Sequence, residues 1–456
     1  MEIYKKQTFS ESFSVYFEKR MARILLLGII SGFPWVLIGS SLSLWLKEDG
    51  LSRSTIGWAG LIFAVYAFNY LWAPVVDRIR IPWLTNKIGH RRAWIVTMQL
   101  VILISLVCWS LIDPTKNLAL VISVGLIIAI ASATQDITVD ALRIEQIGVN
   151  EGKLMQAGAA IAVVGWWTGY KLGGLIALNA ADYFQQVGFQ NYWQITFLLL
   201  GTVIIACNIG LMFVHEPQQT ERLESQIKTD QMIQVKIGSS GFFAKSTAWV
   251  SGTIAGPIIS FFKKNGFKIA LGILAFVFLF KIGEAFLGRM SIIFYKEMGF
   301  SKSDIALYSK GLGWITTVIF TLLGGLFAIR SGVIKAMFLS GILMASTNLL
   351  FSLLAWSGKS EWLFAIAVIF DDMAAAFATV AFVAFISMLV DRTYTATQYA
   401  LLASIGTAGR TTLAASSGAM VDWLNGDWGI FFVITAIMVI PSLICLWFIK
   451  DKLKLK

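Results

Sequence analysis

Apolar runs of about 20 residues recur along the whole chain, and this feature limits the possible folds more than any other. An α-helix of that length crosses the hydrocarbon core of a lipid bilayer. Charged residues make up only 14% of the chain, whereas soluble domains carry about 25%. The sequence therefore predicts an all-α polytopic membrane protein.

The apolar runs define twelve predicted membrane spans. Lys and Arg gather in alternate loops, and cytoplasmic loops are the ones enriched in these residues. Both termini are therefore expected in the cytoplasm. The net charge of +11 follows from this bias and is not a sign of nucleic-acid binding. The predicted spans are 22–46, 55–74, 92–112, 118–143, 153–178, 193–214, 268–295, 303–329, 333–356, 361–390, 395–421 and 428–449.

A ten-residue motif occurs after the first span and again after the seventh span. The first copy, Lys47–Ile56, reads KEDGLSRSTI, and the second copy, Lys296–Ile305, reads KEMGFSKSDI. In each copy Gly permits a turn and Ser can cap the next helix. Six helices per half, an even number, give both halves the same orientation, which is the parallel repeat of the major facilitator fold. The predicted division is 1–214, 215–267 and 268–456.

The segment 215–267 is predicted to join the halves on the cytoplasmic side. Its second part places Ile254, Ile258, Phe261 and Phe262 next to Lys263 and Lys264, a pattern typical of a short amphipathic helix on a membrane surface. For 215–240 a partly ordered linker is an equal alternative.

The loop after the second span resembles a known signature. Residues 77–92 read DRIRIPWLTNKIGHRR, which resembles the facilitator pattern Gly-x-x-x-Asp-Arg-x-Gly-Arg-Arg with an insertion between its two parts. The inserted form looks like that of the AmpG-type muropeptide permeases and of the related acetyl-CoA transporters. Four further segments resemble the AmpG group: Ser31–Leu46, Ser132–Glu145, Lys281–Arg289 and Thr393–Arg410.

The resemblance implies import of cell-wall turnover fragments for peptidoglycan recycling. The implied substrate is N-acetylglucosaminyl-1,6-anhydro-N-acetylmuramic acid, with or without its stem peptide. The implied energy source is the proton gradient across a bacterial inner membrane, and a monomer is expected. An acetyl-CoA-type transporter or a drug exporter is the alternative. No enzyme, metal site or cofactor is expected, because no nucleophile–base or metal-ligand pattern occurs.

The fourth span ends in a group of charged residues. Asp136, Asp140 and Arg143 share one stripe of a helix, whereas Glu145 points elsewhere. Asp140 and Arg143 lie at the cytoplasmic end and can pair at i,i+3 spacing. In facilitators generally, such charges join the loop signature in a gate, so the candidate gating residues are Asp77, Arg78, Arg91, Asp140 and Arg143.

A second set of charges lies near the predicted midplane. Lys281 and Glu284 can pair along the seventh span, whereas Asp371 and Asp372 point about 100° apart, so only one of them readily faces a cavity. With Arg410 the set holds more acids than bases, which favours proton exchange over a static ion-pair set. The proton-coupling candidates are Glu284, then Asp136, with Asp371 and Asp372; Lys281 and Arg410 are candidates for substrate binding.

Other polar and aromatic residues at membrane depth are candidates for substrate contacts. Lys171 could meet a substrate carboxylate or extend toward water. Aromatic rings suit the apolar faces of sugars, although helix packing is the alternative for each. The Gly-rich stretches GYKLGG and GTAGR are predicted to allow close helix packing. These candidates are Trp35, Trp167, Tyr170, Tyr66, Asn69, Gln99 and Gln135.

Overall fold

The computed structural model describes residues 13–51, 59–148, 150–217, 227–228, 231, 255–300, 312–414 and 416–453. These residues form helices and no strand, and nine of their helices are long and apolar enough to cross a membrane. Three further predicted spans are helical but fall short of that criterion. The second is a chain of short helices, the eighth is described only from Leu312, and the eleventh is rich in polar residues.

Together these segments confirm the twelve-helix fold of a multi-pass membrane protein. We number them in chain order as α1 (Lys19–Glu48), α2 (59–78), α3 (His90–Ser110), α4 (Leu118–Glu145), α5 (Gly152–Gln186), α6 (Tyr192–Leu211), α7 (Phe267–Leu279 and Ile282–Glu297), α8 (Leu312–Ser331), α9 (Val333–Ser357), α10 (Glu361–Leu389), α11 (Thr395–Ala414 and Ser417–Trp423) and α12 (Trp428–Ile437 and Ile440–Ile449).

Several helices depart from the predicted spans. Helix α5 continues to Gln186, because polar residues at the membrane surface extend a helix beyond its apolar run. Helix α1 contains a π-helical turn at Leu37–Ser41, and α7 is interrupted at Phe280 and Lys281. Hydropathy alone carries no signal for such local breaks.

The predicted repeat appears as a repeated tertiary contact. The indole Nε1 of Trp193, at the start of α6, donates to Glu48 Oε2 at 2.6 Å. In the second half the indole Nε1 of Trp428, at the start of α12, donates to Glu297 Oε2 at 2.7 Å. Both glutamates belong to the Lys-Glu-x-Gly motif, so the motif ties the end of the first helix of each half to the start of its sixth. The serines expected to act as caps lie outside the described residues.

The aromatic packing behind each motif is repeated as well. The rings of Trp45 and Phe197 meet edge-on at 5.0 Å between centroids in the first half. The rings of Phe294 and Phe432 meet edge-on at 4.9 Å in the second half. The two six-helix halves therefore share one internal plan in the same orientation.

Glycines let α5 pack directly on α1. A Cβ atom added to Gly32 would lie 2.1 Å from the carbonyl oxygen of Trp166, and one added to Gly165 would lie 2.4 Å from that of Leu25. In the second half a Cβ atom on Gly409 would lie 2.1 Å from the carbonyl oxygen of Phe278. The prediction that the Gly-rich stretches serve close helix packing is confirmed at Gly409 of GTAGR and at Gly169 of GYKLGG, where a Cβ atom would lie 2.4 Å from the carbonyl oxygen of Ile29. At Gly174 of GYKLGG a Cβ atom would meet no other atom within 4 Å.

Residues 255–265 form a helix that is hydrogen-bonded to the end of α10 and to the start of α11. Lys264 Nζ donates to the carbonyl of Leu389 at 2.8 Å, and Gln398 Nε2 donates to that of Pro257 at 2.9 Å. Phe261 is buried and Ile258 is exposed. Ile254 and most of 215–253 lie outside the described residues, so the proposed division into two halves and a linker stays a prediction.

Candidate functional site

A cavity of about 470 Å³ lies between the two halves, and we call it the central cavity. Ligand sites commonly enclose about 300–1,000 Å³, so the volume is that of a binding site for a small molecule. Its walls come from α1, α4 and α5 of the first half and from α7, α8, α10 and α11 of the second half. Seven predicted site residues line it: Asp140, Arg143, Trp167, Lys281, Glu284, Asp372 and Arg410.

The wall formed by the second half is ionic. Lys281 sits at the break in α7, where its Nζ lies 3.2 Å from Glu284 Oε2 and 2.8 Å from Thr379 Oγ1. The ion pair predicted from the i,i+3 spacing is therefore present. The break in the helix turns Lys281 toward α10, so one ammonium group bridges the two helices of this wall.

The two adjacent aspartates of α10 face different neighbours. Asp372 lines the cavity, with its Oδ2 3.4 Å from Thr316 Oγ1 on α8. Asp371 points toward α9, with its Oδ1 3.4 Å from Thr347 Oγ1. Only one of the pair faces the cavity, as predicted. The lining differs from the predicted second-half set because it leaves out Asp371 and includes Asp140 and Arg143 of α4. Three carboxylates and three cations line it: Asp140, Glu284, Asp372, Arg143, Lys281 and Arg410.

The wall formed by the first half is aromatic. Trp166 and Trp167 line the cavity, and their ring centroids lie 5.1 Å apart. Trp35 lies 5.5 Å from Trp166 and 4.5 Å from Tyr66, and Tyr170 stacks on Trp166 at 5.6 Å. We call these five residues the aromatic wall. Only Trp166 and Trp167 line the cavity, whereas the predicted contacts Trp35, Tyr66 and Tyr170 pack around them outside the lining. The rings of Trp166 and Trp167 are suited to the apolar face of a sugar or a similar ring.

Asp136 lies beside the aromatic wall and is held there by neutral donors. Ser31 Oγ donates to its Oδ1 at 2.7 Å, and Trp35 Nε1 lies 3.5 Å from its Oδ2. Arg143, which shares one stripe of α4 with Asp136, pairs with Asp140 at 3.1 Å, as its i,i+3 spacing predicted. Asp136 is therefore linked to the aromatic wall through Trp35.

The other predicted substrate contacts lie behind the cavity walls. Gln135 Nε2 donates to the carbonyl of Ile30 at 2.7 Å, and Gln99 is buried. Asn69 Oδ1 accepts a hydrogen bond from Ser404 Oγ at 3.2 Å. Lys171 lies over the rings of Trp167 and Tyr170, at 5.7 and 6.0 Å from their centroids. These four residues support the walls and are not part of the lining of the central cavity.

At one end of the bundle a layer of polar contacts lies among the loops 79–89, 146–151 and 390–394 and the helix 255–265. We call this end of the bundle the basic end. Its centre is Arg91, which is fully buried and lies 2.7 Å from Asp77 Oδ1 and 2.9 Å from Glu145 Oε1. Glu145 points away from the Asp140–Arg143 stripe as expected, and this direction brings it to Arg91. Arg78 follows Asp77 at the last turn of α2.

Asp77 also reaches across to the second half. Its Oδ2 accepts hydrogen bonds from the backbone N–H of Thr397, at 2.8 Å, and from the Thr397 hydroxyl. Its Oδ1 accepts from the N–H of Ala396 at 3.3 Å. These N–H groups belong to the first turn of α11, where a helix has free donors and a partial positive charge. A carboxylate of one half therefore caps a helix of the other half.

The second half returns a contact of the same kind. Arg392, between α10 and α11, donates to the carbonyl of Ile147 at 2.8 Å and to that of Ile144, at the end of α4. A cation at a helix C-terminus meets free carbonyls and a partial negative charge. Arg143 adds a third link by donating to Ser387 Oγ at 3.0 Å. These described contacts, two reciprocal helix caps and the hydroxyls of Thr397 and Ser387, thus join the two halves at the basic end.

Comparison with known proteins identifies the family. The model of the Major Facilitator Superfamily matches residues 24–314, which is more than half of the chain. The chain belongs to the major facilitator superfamily. It also belongs to the AmpG-type group: the "Putative transporter AmpG 4" of Rickettsia conorii is 30% identical over 96% of this chain and 98% of its own. The "Anhydromuropeptide permease" of Escherichia coli K12 is 27% identical over 98% of this chain and 82% of its own.

Solved facilitator structures share the fold. The proton:xylose symporter XylE, bound to 6-bromo-6-deoxy-D-glucose, superposes with a TM-score of 0.63 at 14% identity and covers 96% of each chain. The human organic anion transporter MFSD10 superposes with a TM-score of 0.58 at 15% identity, covering 96% of this chain and all of its own. The homologues are transporters, so this facilitator is a transporter and not an enzyme.

The structure gives a physical reason for the glycine of the facilitator loop signature, Gly89, and for the position of Arg91. Glu216, just after α6, accepts hydrogen bonds from the backbone N–H groups of Arg91 and Arg92, at 2.9 and 3.0 Å, and so caps α3. Gly89 has φ +100°, and a Cβ atom there would lie 2.3 Å from the Glu216 carboxylate. Burial raises the pKa of the Glu216 carboxyl, and the two N–H groups oppose that rise. The glycine thus makes room for the cap that orients Arg91.

Sequence reasoning missed several residues that make the polar contacts at the basic end. Arg392, Ser387 and Thr397 make the contacts between the halves, and Glu145 completes the ion pairs of Arg91. One signal was available: Asp391-Arg392 precedes the Thr-rich start of α11, at the same end of the bundle as Asp77. The partners of Arg392, Ser387 and Thr397 lie at least 244 positions away, and that of Glu145 lies 54 positions away, so spacing within one helix could not identify them.

Proposed function

We propose that this facilitator imports anhydro-muropeptides, N-acetylglucosaminyl-1,6-anhydro-N-acetylmuramic acid with or without its stem peptide, by proton-coupled alternating access across a bacterial inner membrane. The observation that carries the proposal is the two-sided central cavity. One wall is aromatic, with Trp166 and Trp167, and the other is ionic, with Lys281, Glu284 and Arg410. The Escherichia coli relative named an anhydromuropeptide permease supports the same substrate class.

The proposed substrate has two chemically distinct ends. Its two sugar rings present apolar faces, which pack well on aromatic side chains. Its lactyl group or stem peptide carries carboxylates, which pair with Lys or Arg. In the proposed mode of binding the sugars lie on the aromatic wall and the carboxylates meet Lys281 or Arg410. The balance of three cations and three carboxylates in the lining favours this cargo over acetyl-CoA, whose phosphates require an excess of positive charge.

In this proposal the basic end faces the cytoplasm, together with both termini. Loops rich in Lys and Arg are retained on that side. The contacts of Asp77, Arg143 and Arg392 then form a closed cytoplasmic gate. Transport proceeds as one six-helix half rocks against the other around the central cavity, so that the gate opens only when the opposite side is closed.

Glu284 is the proposed proton carrier, with Asp136, Asp371 and Asp372 as further candidates. Glu284 lies on the cavity wall and shares Lys281 with Thr379. If a substrate carboxylate draws the ammonium group away, the charge on Glu284 loses its partner and protonation becomes more favourable. Substrate binding and proton uptake are coupled through one movable cation.

Uptake into proteoliposomes tests the proposed function directly. Purified protein would be reconstituted, and accumulation of labelled anhydro-disaccharide and of its peptide-bearing form would be followed with and without an imposed proton gradient. We expect accumulation above equilibrium only with the gradient, and saturable competition between the two forms. Protein-free liposomes are the control. A folded protein that moves neither compound in counterflow would contradict the proposed substrate class.

A further inference from the structure

A second cavity of about 470 Å³ lies at the basic end, and we call it the basal cavity. Its walls come from both halves: the segment leading into α5 on one side, and the end of α10, the loop after it and the helix 255–265 on the other. It therefore spans the seam that opens when the halves rock apart. The lining includes Gly148, Met155, Lys263, Lys264, Ser387 and Arg392.

Only a thin layer separates the basal cavity from the central cavity. Arg143 lines the central cavity and Ser387 lines the basal cavity, and their side chains are hydrogen-bonded at 3.0 Å. On α10, Val383 lines the central cavity one helical turn before Ser387, a rise of about 6 Å. The gate contacts are this layer. A molecule released through the gate enters the basal cavity next.

The charged groups that line the basal cavity are predominantly basic. Lys263, Lys264 and Arg392 line it together with one carboxylate, Asp391. Asp391 already accepts hydrogen bonds from Ser260 and from the N–H of Thr393. Lys264 reaches a backbone carbonyl at the end of α10, and Arg392 reaches those at the end of α4. These hydrogen bonds of Lys264 and Arg392 go to carbonyl oxygens, which a carboxylate can replace with a stronger, charge-assisted bond.

We propose that the basal cavity is the exit vestibule of the transporter, and that Lys264 and Arg392 bind the carboxylate of the departing substrate. This inference rests on the proposed function and its orientation. When the gate opens, α4 moves away from Arg392, and its guanidinium loses the carbonyls of Ile144 and Ile147. A substrate carboxylate supplies the missing acceptor. Because a ligand favours the state that it binds better, an anionic substrate favours the open gate.

The experiment compares an anionic substrate with a neutral one. The probes are the labelled anhydro-disaccharide with a free lactyl carboxylate and the same compound with that carboxyl converted to an amide. Counterflow in proteoliposomes gives the rate for each, and the ratio of the two rates is the readout. The variants are Lys264→Gln, Arg392→Gln and Arg392→Lys. The matched control is Lys268→Gln, because Lys268 is exposed, lies only four residues after Lys264, at the start of α7, and is not in the lining.

The ratio separates a binding role from a structural one. We expect Lys264→Gln and Arg392→Gln each to lower the anionic-to-neutral ratio about tenfold, the effect of losing one charge-assisted hydrogen bond. Arg392→Lys should retain most of the ratio, and Lys268→Gln should leave it unchanged. Loosening of the gate alone would change both rates together. If Lys264→Gln keeps the wild-type ratio, the proposed exit site is overturned. This variant retains the Arg392 contacts between the halves, so its result is decisive even if Arg392→Gln is poorly folded.

The same measurement distinguishes this inference from the proposed function. Wild-type protein that moves both probes supports transport of the disaccharide class, whatever the variants do. If wild-type protein moves neither probe, the proposed function fails and the exit site fails with it. If it moves both probes and the variants keep the wild-type ratio, only the exit site fails.

Discussion

Arg91 holds Asp77 at 2.7 Å while Asp77 caps the first turn of α11 in the other half. Arg91 makes no described hydrogen bond to the second half, so it acts through Asp77 as a positioning residue. Burying an ion pair is unfavourable unless further hydrogen bonds satisfy its members, and here Glu145 and the N–H of Thr397 do so. The pair therefore keeps all of these hydrogen bonds only while Asp77 stays in contact with α11.

The first prediction concerns this gate. Replacing Asp77 with Asn removes the charge that pairs with Arg91 and caps α11, so the closed gate should lose about 3–5 kcal/mol. We expect substrate affinity to stay within a few-fold of wild type while net uptake collapses, and Arg143→Ala should act in the same direction. Isothermal titration gives the affinity and vesicle uptake gives the flux. Asp113→Asn, in an exposed loop at the other end, is the control. A loss of affinity as large as the loss of uptake would assign Asp77 to the substrate site.

The fold was predictable from the sequence because its signals are local. The lengths of the apolar runs predicted the twelve helices, and the i,i+3 spacing of Lys281 and Glu284 predicted their ion pair. The site was only partly predictable, since the direction of a side chain depends on how its helix is rotated in the bundle. The sequence showed that one of Asp371 and Asp372 faces a cavity, but packing of α10 against α8 and α9 decides that it is Asp372. Contacts between the halves, such as that of Arg392 with α4, have no local signal.

The second prediction concerns the close packing of α1 on α5. A Cβ atom at Gly165 would lie 2.4 Å from the carbonyl oxygen of Leu25, so Gly165→Ala must push the helices apart, at about 1–3 kcal/mol. At Gly174, on the same helix, a Cβ atom would meet no other atom within 4 Å. Gly174→Ala should therefore be neutral or slightly stabilising, as Ala favours helices. Thermal unfolding in detergent measures both, and equal midpoints would contradict the packing argument.

The third prediction concerns the repeated contact between glutamate and tryptophan. Glu297→Ala leaves the buried indole N–H of Trp428 without its carboxylate acceptor, which should cost about 1–3 kcal/mol of stability. Glu297→Gln keeps an acceptor oxygen and should cost less. The equivalent changes at Glu48 should give similar values. Because the two sites lie in different halves, the double alanine variant should show additive losses. Chemical unfolding measures all of these, and a large effect at one site only would argue against equivalent roles.

The fourth prediction concerns orientation. In a background without the three native cysteines, Val187→Cys and Arg80→Cys place single thiols at exposed positions in loops at opposite ends of the bundle. An impermeant thiol reagent added to intact cells should label only Val187→Cys, because the loop of Arg80 belongs to the basic end. Labelling of Arg80→Cys after the cells are opened is the control for its reactivity. Labelling of residues 230–240 in intact cells would also contradict the proposed cytoplasmic position of that segment.

The last prediction concerns the coupled proton. Glu284 pairs with Lys281 on the wall of the central cavity, whereas Asp136 and Asp371 are held by neutral hydroxyl and indole donors. Glu284→Gln removes the charge that competes with substrate for Lys281. We therefore expect this variant to bind substrate and to carry out counterflow, but to lose accumulation driven by the proton gradient and the pH dependence of its rate. Asp371→Asn, behind the wall, should retain gradient-driven accumulation. Accumulation by Glu284→Gln at the wild-type level, with an unchanged pH profile, would falsify the assignment and make Asp136, beside Trp35, the proton carrier to test next.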